Sequence, residues 1–185
     1  MRKAYELGYH TILIPESYGG MDLTSKQQAI IYEELAWGSV GLTVALGVAA
    51  FPSFGASLVA EDALIEKIIE PFCACKDASI VGCWGITEPD HGSDTLLPYY
   101  PSFSDSKIKA QCRARLDGDE YVLSGQKSAW VSGGTISTHA MLHVQIDPSK
   151  GFFGNGICIV PLDLPGVSKG KALEKIGQRD LNQGE

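Results

Sequence analysis

Lys76-Asp77-Ala78-Ser79-Ile80-Val81-Gly82-Cys83-Trp84-Gly85-Ile86 is the stretch at which the 185-residue chain changes character. Before it, apolar residues recur at three- and four-residue spacing, the period of a helix face. After it, short apolar runs alternate with polar residues and end in Gly, Pro or Asp, as strands do. The change predicts an α+β chain: a helical bundle over residues 1–78, then an antiparallel, barrel-like β-domain over 79–185.

Towards the N-terminus, Leu23-Thr24-Ser25-Lys26-Gln27 offers a capping box, in which the Thr24 hydroxyl accepts the Gln27 amide and Gln27 reaches back to the Thr24 amide. Ile30, Ile31, Leu35 and Ala36 then form an apolar face, Lys26, Glu33 and Glu34 a wetter one, and Gly38 a stop. Residues 40–50 and 53–60 are small and apolar, which suits closely packed helices. Asp62 is placed to cap another helix, with Leu64, Ile65, Ile68 and Ile69 as its buried face and Pro71 as its end.

Towards the C-terminus, strands are expected within Ile80 to Ile86, Ile108 to Leu116, Tyr121 to Leu123, Ala140 to Ile146 and Ile157 to Leu162. Asp117-Gly118-Asp119 joins two of them as a tight hairpin, because Gly tolerates the positive φ such turns require. Leu97 to Ser104, with two prolines that cannot donate to a ladder, reads as a surface loop.

Composition narrows the function classes. A formal charge of −7 and a pI near 5.1, with no cluster of Lys and Arg, weigh against a nucleic-acid partner. The longest apolar stretch, around Gly41 to Phe54, is diluted by Gly, Pro and Ser, so no membrane span is expected. A soluble cytoplasmic protein follows, or a mitochondrial matrix one in a eukaryote. Five cysteines at irregular spacing make a poor disulfide framework, and Cys73 and Cys75 read as packing thiols. His139-x-x-x-His143 lacks a second pair at zinc spacing, so no metal site is assigned. No Gly-x-Ser-x-Gly elbow occurs either.

Two runs carry chemistry. Cys83-Trp84-Gly85-Ile86-Thr87-Glu88-Pro89-Asp90-His91-Gly92-Ser93-Asp94 leaves a strand and enters a loop rich in Gly, hydroxyls and acids. There backbone amides approach a ligand closely, and Thr87 and Ser93 offer hydrogen bonds. The same run also reads as a capped turn with Trp84 in the core. In Ser124-Gly125-Gln126-Lys127-Ser128-Ala129-Trp130-Val131-Ser132-Gly133-Gly134, a flat ring and a hydroxyl two residues apart on one strand face suit the border of a planar heterocycle. A buried core Trp is the plainer reading of that pattern.

Taken together, the runs resemble the acyl-CoA dehydrogenase family over nearly the whole chain. Ile14-Pro15-Glu16-Ser17-Tyr18-Gly19-Gly20-Met21 is similar to its Pro-Glu-x-x-Gly-Gly entry, and Glu33-Glu34-Leu35-Ala36 to its following helix. Thr87-Glu88-Pro89 with Gly92-Ser93-Asp94 resembles its first signature, and Gly125-Gln126-Lys127 through Trp130 and Ser132 its second. The resemblance implies a helical domain, a middle β-domain and a C-terminal four-helix domain, with FAD held between the last two.

It further implies that Ile86 and Thr87 touch the flavin ring, Thr87 through its hydroxyl and Ile86 through its backbone. Trp130 packs beside the ring, Ser132 hydrogen-bonds near its N5 edge, and Trp84 stands where the family places an aromatic residue. Gly92 and Ser93 lie near the cofactor pyrophosphate or the coenzyme A moiety, which makes Ser93 a substrate contact as well. In the family a glutamate removes the proton α to the thioester carbonyl while the β-hydrogen leaves as hydride to flavin N5. Acyl-CoA substrate, an electron-transferring flavoprotein and a homodimer or homotetramer of the full-length protein complete the implied partners.

That glutamate lies in the C-terminal domain of the family, and Glu16, Glu33, Glu34 and Glu88 match structural or surface positions. The expectation is therefore a fragment without its base and inactive alone. The alternatives are an acyl-CoA oxidase or flavin monooxygenase of the same fold, or a non-catalytic binding module. Asp90-His91 stands where small residues are common. Either it alters substrate preference or His91 is an exposed loop histidine.

Overall fold

The computed structural model describes all 185 residues. Helices α1 (Arg2–Glu6), α2 (Ser25–Gly38), α3 (Val40–Ala49), α4 (Phe51–Val59), α5 (Asp62–Leu64) and α6 (Glu70–Ala74) build the first part. Thr24 opens α2 with both bonds of the capping box, and the helix stops after Gly38. Tyr5, Ile14, Leu46, Ala50, Ala56, Ile69 and Phe72 form the core between helices, with Ile80 and Ile159 of the second part packed against it.

Three expectations are corrected here. Ile30 is 53% exposed and α2 has no buried residue, because α2 lies on the outside of α3 and is covered along one side only. Asp62 is the first residue of α5 rather than its cap, a position held by Glu61 without a side-chain bond. Pro71 does not end its helix but sits inside α6. Between α5 and α6 the chain widens into a π turn at Ile65–Ile69, where the Glu70 N–H donates to the Ile65 carbonyl. The wider turn accommodates a proline that lacks a donor and whose ring clashes with the carbonyl four residues back in a regular helix.

Val40–Val59 is long and apolar enough, by length and composition, to cross a membrane. Its Leu46, Ala49, Ala50 and Ala56 are buried in the core just described, the placement of a core helix pair.

The second part carries strands β1 (Gly82–Gly85), β2 (Arg113–Asp117), β3 (Glu120–Ser124), β4 (Val131–Ser132), β5 (His139–Gln145), β6 (Asn155–Pro161) and β7 (Gln183–Gly184). Gly118 turns the β2–β3 hairpin at φ +63, as its position demanded. The barrel expectation is corrected: the sheet is open and mixed. β5 pairs with β6 antiparallel but with β1 and β2 parallel, and β4 and β7 form a separate two-stranded piece. A long connection separates β1 from β5, so nothing constrains them to the antiparallel sense of a hairpin.

β1 lies directly on the helices. A Cβ on Gly82 would stand 2.3 Å from the Ala49 carbonyl oxygen and 2.5 Å from Pro52 Cδ, so only glycine lets the strand reach the α3–α4 junction. The alternation of β1 then turns Trp84 to the helix side, where its ring meets Phe51 edge-on with centroids 5.0 Å apart. Cys83 and Gly85 face the other way, into a groove of about 500 Å³ that Leu142, Val131 and Val160 also line.

Candidate functional site

A backbone hydrogen bond joins the two runs singled out in the sequence: the Ser128 N–H donates to the Thr87 carbonyl at 2.9 Å. Each run is held by different means. Behind Thr87, Glu88 is 3% exposed and takes the Cys112 amide on Oε1 at 2.9 Å and the Gln111 amide on Oε2 at 2.5 Å. Lys127 closes the arrangement. Its ammonium donates to Glu88 Oε1 at 2.7 Å and to the Ile86 carbonyl at 3.3 Å. The carboxylate thus has partners on both oxygens, the condition under which a buried charge is tolerated.

With its carbonyl taken by Ser128, Thr87 keeps its own N–H and hydroxyl without a partner inside the chain. Gly92 is adjacent, since a Cβ there would stand 3.9 Å from Thr87 Cγ2. Its amide is not open to an anion, however, because it donates to Asp94 Oδ1 at 2.6 Å. His91 Nδ1 meets Asp94 Oδ2 at 2.9 Å, and the imidazole edge rests on Phe152. The His91 side chain is only 17% exposed, which overturns the exposed-loop reading. Burial raises the Asp94 carboxyl, but the Gly92 amide and His91 outweigh it and hold the group below the usual carboxylate range. Ser93 stands exposed at the start of the next helical turn.

Trp130 is placed otherwise than expected. It precedes β4 rather than lying in it, and follows a three-residue turn in which the Trp130 N–H donates to the Ser128 carbonyl around Ala129 at φ +56. The ring is 57% exposed, not core. Gln183, opposite Ser132 in the β4–β7 pair, ties the two residues together. Its Nε2 donates to Ser132 Oγ at 2.9 Å and to the Trp130 carbonyl at 3.4 Å. Ser132 accepts that bond, which leaves its own hydroxyl proton free to donate.

Trp84 donates from Nε1 to His143 Nε2 at 2.9 Å. Burial, followed by the nearby Lys127 charge, pushes the His143 pKa down and keeps the acceptor neutral. His139 meets the Thr138 hydroxyl through Nδ1, so the two histidines of the sequence pair are engaged separately.

Thr87, Ile86, Gly92, Ser128 and Lys127 are thereby gathered at one place, and Trp130 and Ser132 at its edge. None of the seven residues nominated as cofactor contacts lines the groove on the other sheet face. Gln183 and His143 gave no local sequence signal. Their roles arise from pairings across 51 and 59 residues.

Residues 83–185 match the family described as acyl-CoA dehydrogenase, middle domain, and residues 1–74 match its N-terminal domain. The chain belongs to the acyl-CoA dehydrogenase family. It is 30% identical, over 97% of its length and 41% of the relative's, to a probable medium-chain specific acyl-CoA dehydrogenase 2 of Caenorhabditis briggsae. Among solved structures it superposes on a prolyl acyl carrier protein oxidase with a TM-score of 0.81 and 28% identity, covering 99% of this chain and 45% of that one. It superposes as well on an acyl-CoA dehydrogenase of Bacillus anthracis complexed with FAD, with a TM-score of 0.76 and 24% identity, covering 99% and 28%. The chain therefore spans less than half the length of these relatives.

The family uses FAD, and the donor set here has the chemistry an isoalloxazine edge requires. Thr87 offers an N–H and a hydroxyl, Ser132 a hydroxyl proton, and Trp130 an exposed aromatic face.

Proposed function

We propose that this chain forms the flavin-facing part of an FAD-dependent acyl-CoA dehydrogenase, with Ile86, Thr87, Trp130 and Ser132 against the ring and Trp84 beside it. The observation that carries the reading is the Ser128-to-Thr87 hydrogen bond at 2.9 Å. It draws the two signature runs together at Thr87 and Ser128, and Thr87 and Ser132 each offer an unpaired donor to the proposed ring. When bound, the flavin would supply the hydride acceptor for oxidising an acyl-CoA thioester to its 2-enoyl form, with the α-proton going to a base. The chain's own residues orient it: Lys127 and Glu88 fix the Ile86–Thr87 peptide, and Gln183 fixes Ser132.

Neither Glu88 nor Asp94 is free to abstract a proton. Glu88 is enclosed by Lys127 and two amides, and Asp94 by His91 and Gly92. No base is assigned within this chain, and no turnover is expected from it alone. Ser93 and Gly92 stay assigned to the pyrophosphate or coenzyme A end, with Ser93 the better donor because the Gly92 amide is taken. An electron-transferring flavoprotein as acceptor, a homo-oligomer and a location in the cytoplasm or mitochondrial matrix belong to the same reading.

Titrating the purified chain with FAD and following flavin fluorescence tests the proposal. Binding is expected, weakened roughly tenfold by Thr87→Val and again by Ser132→Ala. Equal affinity in all three proteins, or none in the parent, sinks it. The structural likeness to an acyl carrier protein oxidase favours a second reading, in which reduced flavin is reoxidised by oxygen. Rapid reoxidation of the holoprotein in air supports the oxidase, slow reoxidation the dehydrogenase.

A further inference from the structure

We infer that His143 is a positioning residue for Trp84, its Nε2 accepting the indole N–H at 2.9 Å and so fixing which way the ring is turned at the flavin site. The inference rests on the proposed flavin reading for its functional consequence, and on β1 and β5 for its geometry. These strands run parallel with Trp84 opposite Met141, so His143, two residues further on, projects from the same sheet face. The imidazole and indole centroids lie 5.8 Å apart, with the ring planes tilted by 54°.

Packing alone does not choose the indole orientation. Phe51 meets the ring edge-on at 81° and limits its translation, but the torsion between Cβ and an aromatic ring has a broad, roughly two-fold profile. The observed orientation brings Nε1 to the His143 acceptor, and a half-buried N–H without one is disfavoured. His143 therefore converts a tolerant contact into a single setting. Its proton sits on Nδ1, since Nε2 must present a lone pair, and Lys127, the charge that acts on the imidazole, is itself paired with Glu88.

A Trp at position 84 with no acceptor would present either face and either edge to the cofactor. With His143 it presents one. The consequence is preorganisation of the aromatic border before the flavin arrives, which shows in affinity and not only in turnover.

The test compares the parent chain with His143→Leu and His143→Gln by heteronuclear NMR of the three indole N–H groups and by FAD titration. Trp37 and Trp130 are 86% and 57% exposed, which sets their signals apart from that of Trp84, and Trp84→Phe completes the assignment. In H143L the Trp84 indole signal is expected to move upfield and exchange about tenfold faster, with the FAD dissociation constant raised roughly three- to tenfold. H143Q, which restores an acceptor, should return both towards the parent. An unchanged Trp84 signal in H143L overturns the inference, and so does a released indole with unaltered FAD affinity. If the parent itself binds no FAD, the flavin reading fails and the functional role of His143 with it. A parent that binds FAD while H143L binds equally well removes the His143 role alone.

Discussion

The two parts of the molecule each bury an ionisable constellation, and they do so by opposite means. In the helical part His10 is 1% exposed, stacked on Tyr5 at 4.0 Å and met by the edge of Phe72. Its Nε2 reaches the Phe72 carbonyl at 3.1 Å, but Nδ1 is buried with no partner. Such a site accepts only the neutral ring. Burial lowers the His10 pKa to about 4, with the Phe72 carbonyl opposing and the Lys76 charge assisting. In the sheet part Glu88 and Lys127 form a buried ion pair, and Glu88 also takes two backbone amides. Neutrality serves where a group only fills space, whereas a paired charge serves where backbone must be held at a set place.

The largest effect expected from this contrast is at Lys127. Lys127→Met leaves Glu88 buried without its counter-charge and should cost about 3–5 kcal/mol in urea unfolding. Lys127→Met with Glu88→Leu should recover much of that. A single-variant loss below about 1 kcal/mol would mean the pair does not hold the Thr87 loop.

Next comes acid. An unfolded histidine titrates near 6.5 and His10 near 4 in the fold, so between those values the unfolded chain binds more protons. Stability should fall as pH drops through that window, by up to about 3 kcal/mol, and be fully present above it. His10→Phe should flatten this acid limb in pH-dependent urea curves. An unaltered limb would move the cause elsewhere.

Smaller effects sharpen the comparison within each part. Ala129→Gly should add up to about 1 kcal/mol by relieving the left-handed backbone before Trp130, with a raised melting temperature as the readout. Thr24→Ala should remove about 1 kcal/mol through the α2 cap, and less if α2 frays independently of the core.

What could be read in the sequence was local. The capping box at Thr24 and the turn at Gly118 need only a few neighbouring residues, and both occur where their chemistry places them. The cores of all five expected strands were legible from short apolar runs bounded by turn residues, although burial does not alternate along them, and the two-residue strands β4 and β7 were too short to leave such a run. Pairing was not legible. Nothing within Gly82–Gly85 or His139–Gln145 encodes that they run parallel, and the open sheet follows from that relation. Pro71 misled because the proline rule presumes a regular turn, and the turn before it is a π turn. Likewise the Gly92 amide looked available until the loop folded Asp94 onto it. At the site, Thr87, Trp130 and Ser132 are proposed from sequence motifs, whereas His143 and Gln183, which hold Trp84 and Ser132, come from distant strands and carry no local signal.

The cysteines give the two parts separate clocks. All five thiols are free, with Cys73 and Cys75 in the helical part and Cys83, Cys112 and Cys158 in the sheet. Burial pushes Cys73 up to about 11 and raises Cys83, Cys112 and Cys158 as well, so these four offer little thiolate to an alkylating reagent. At the buried thiols modification must wait for opening, and the order in which the Cys73, Cys83 and Cys112 peptides acquire the label records which part opens first.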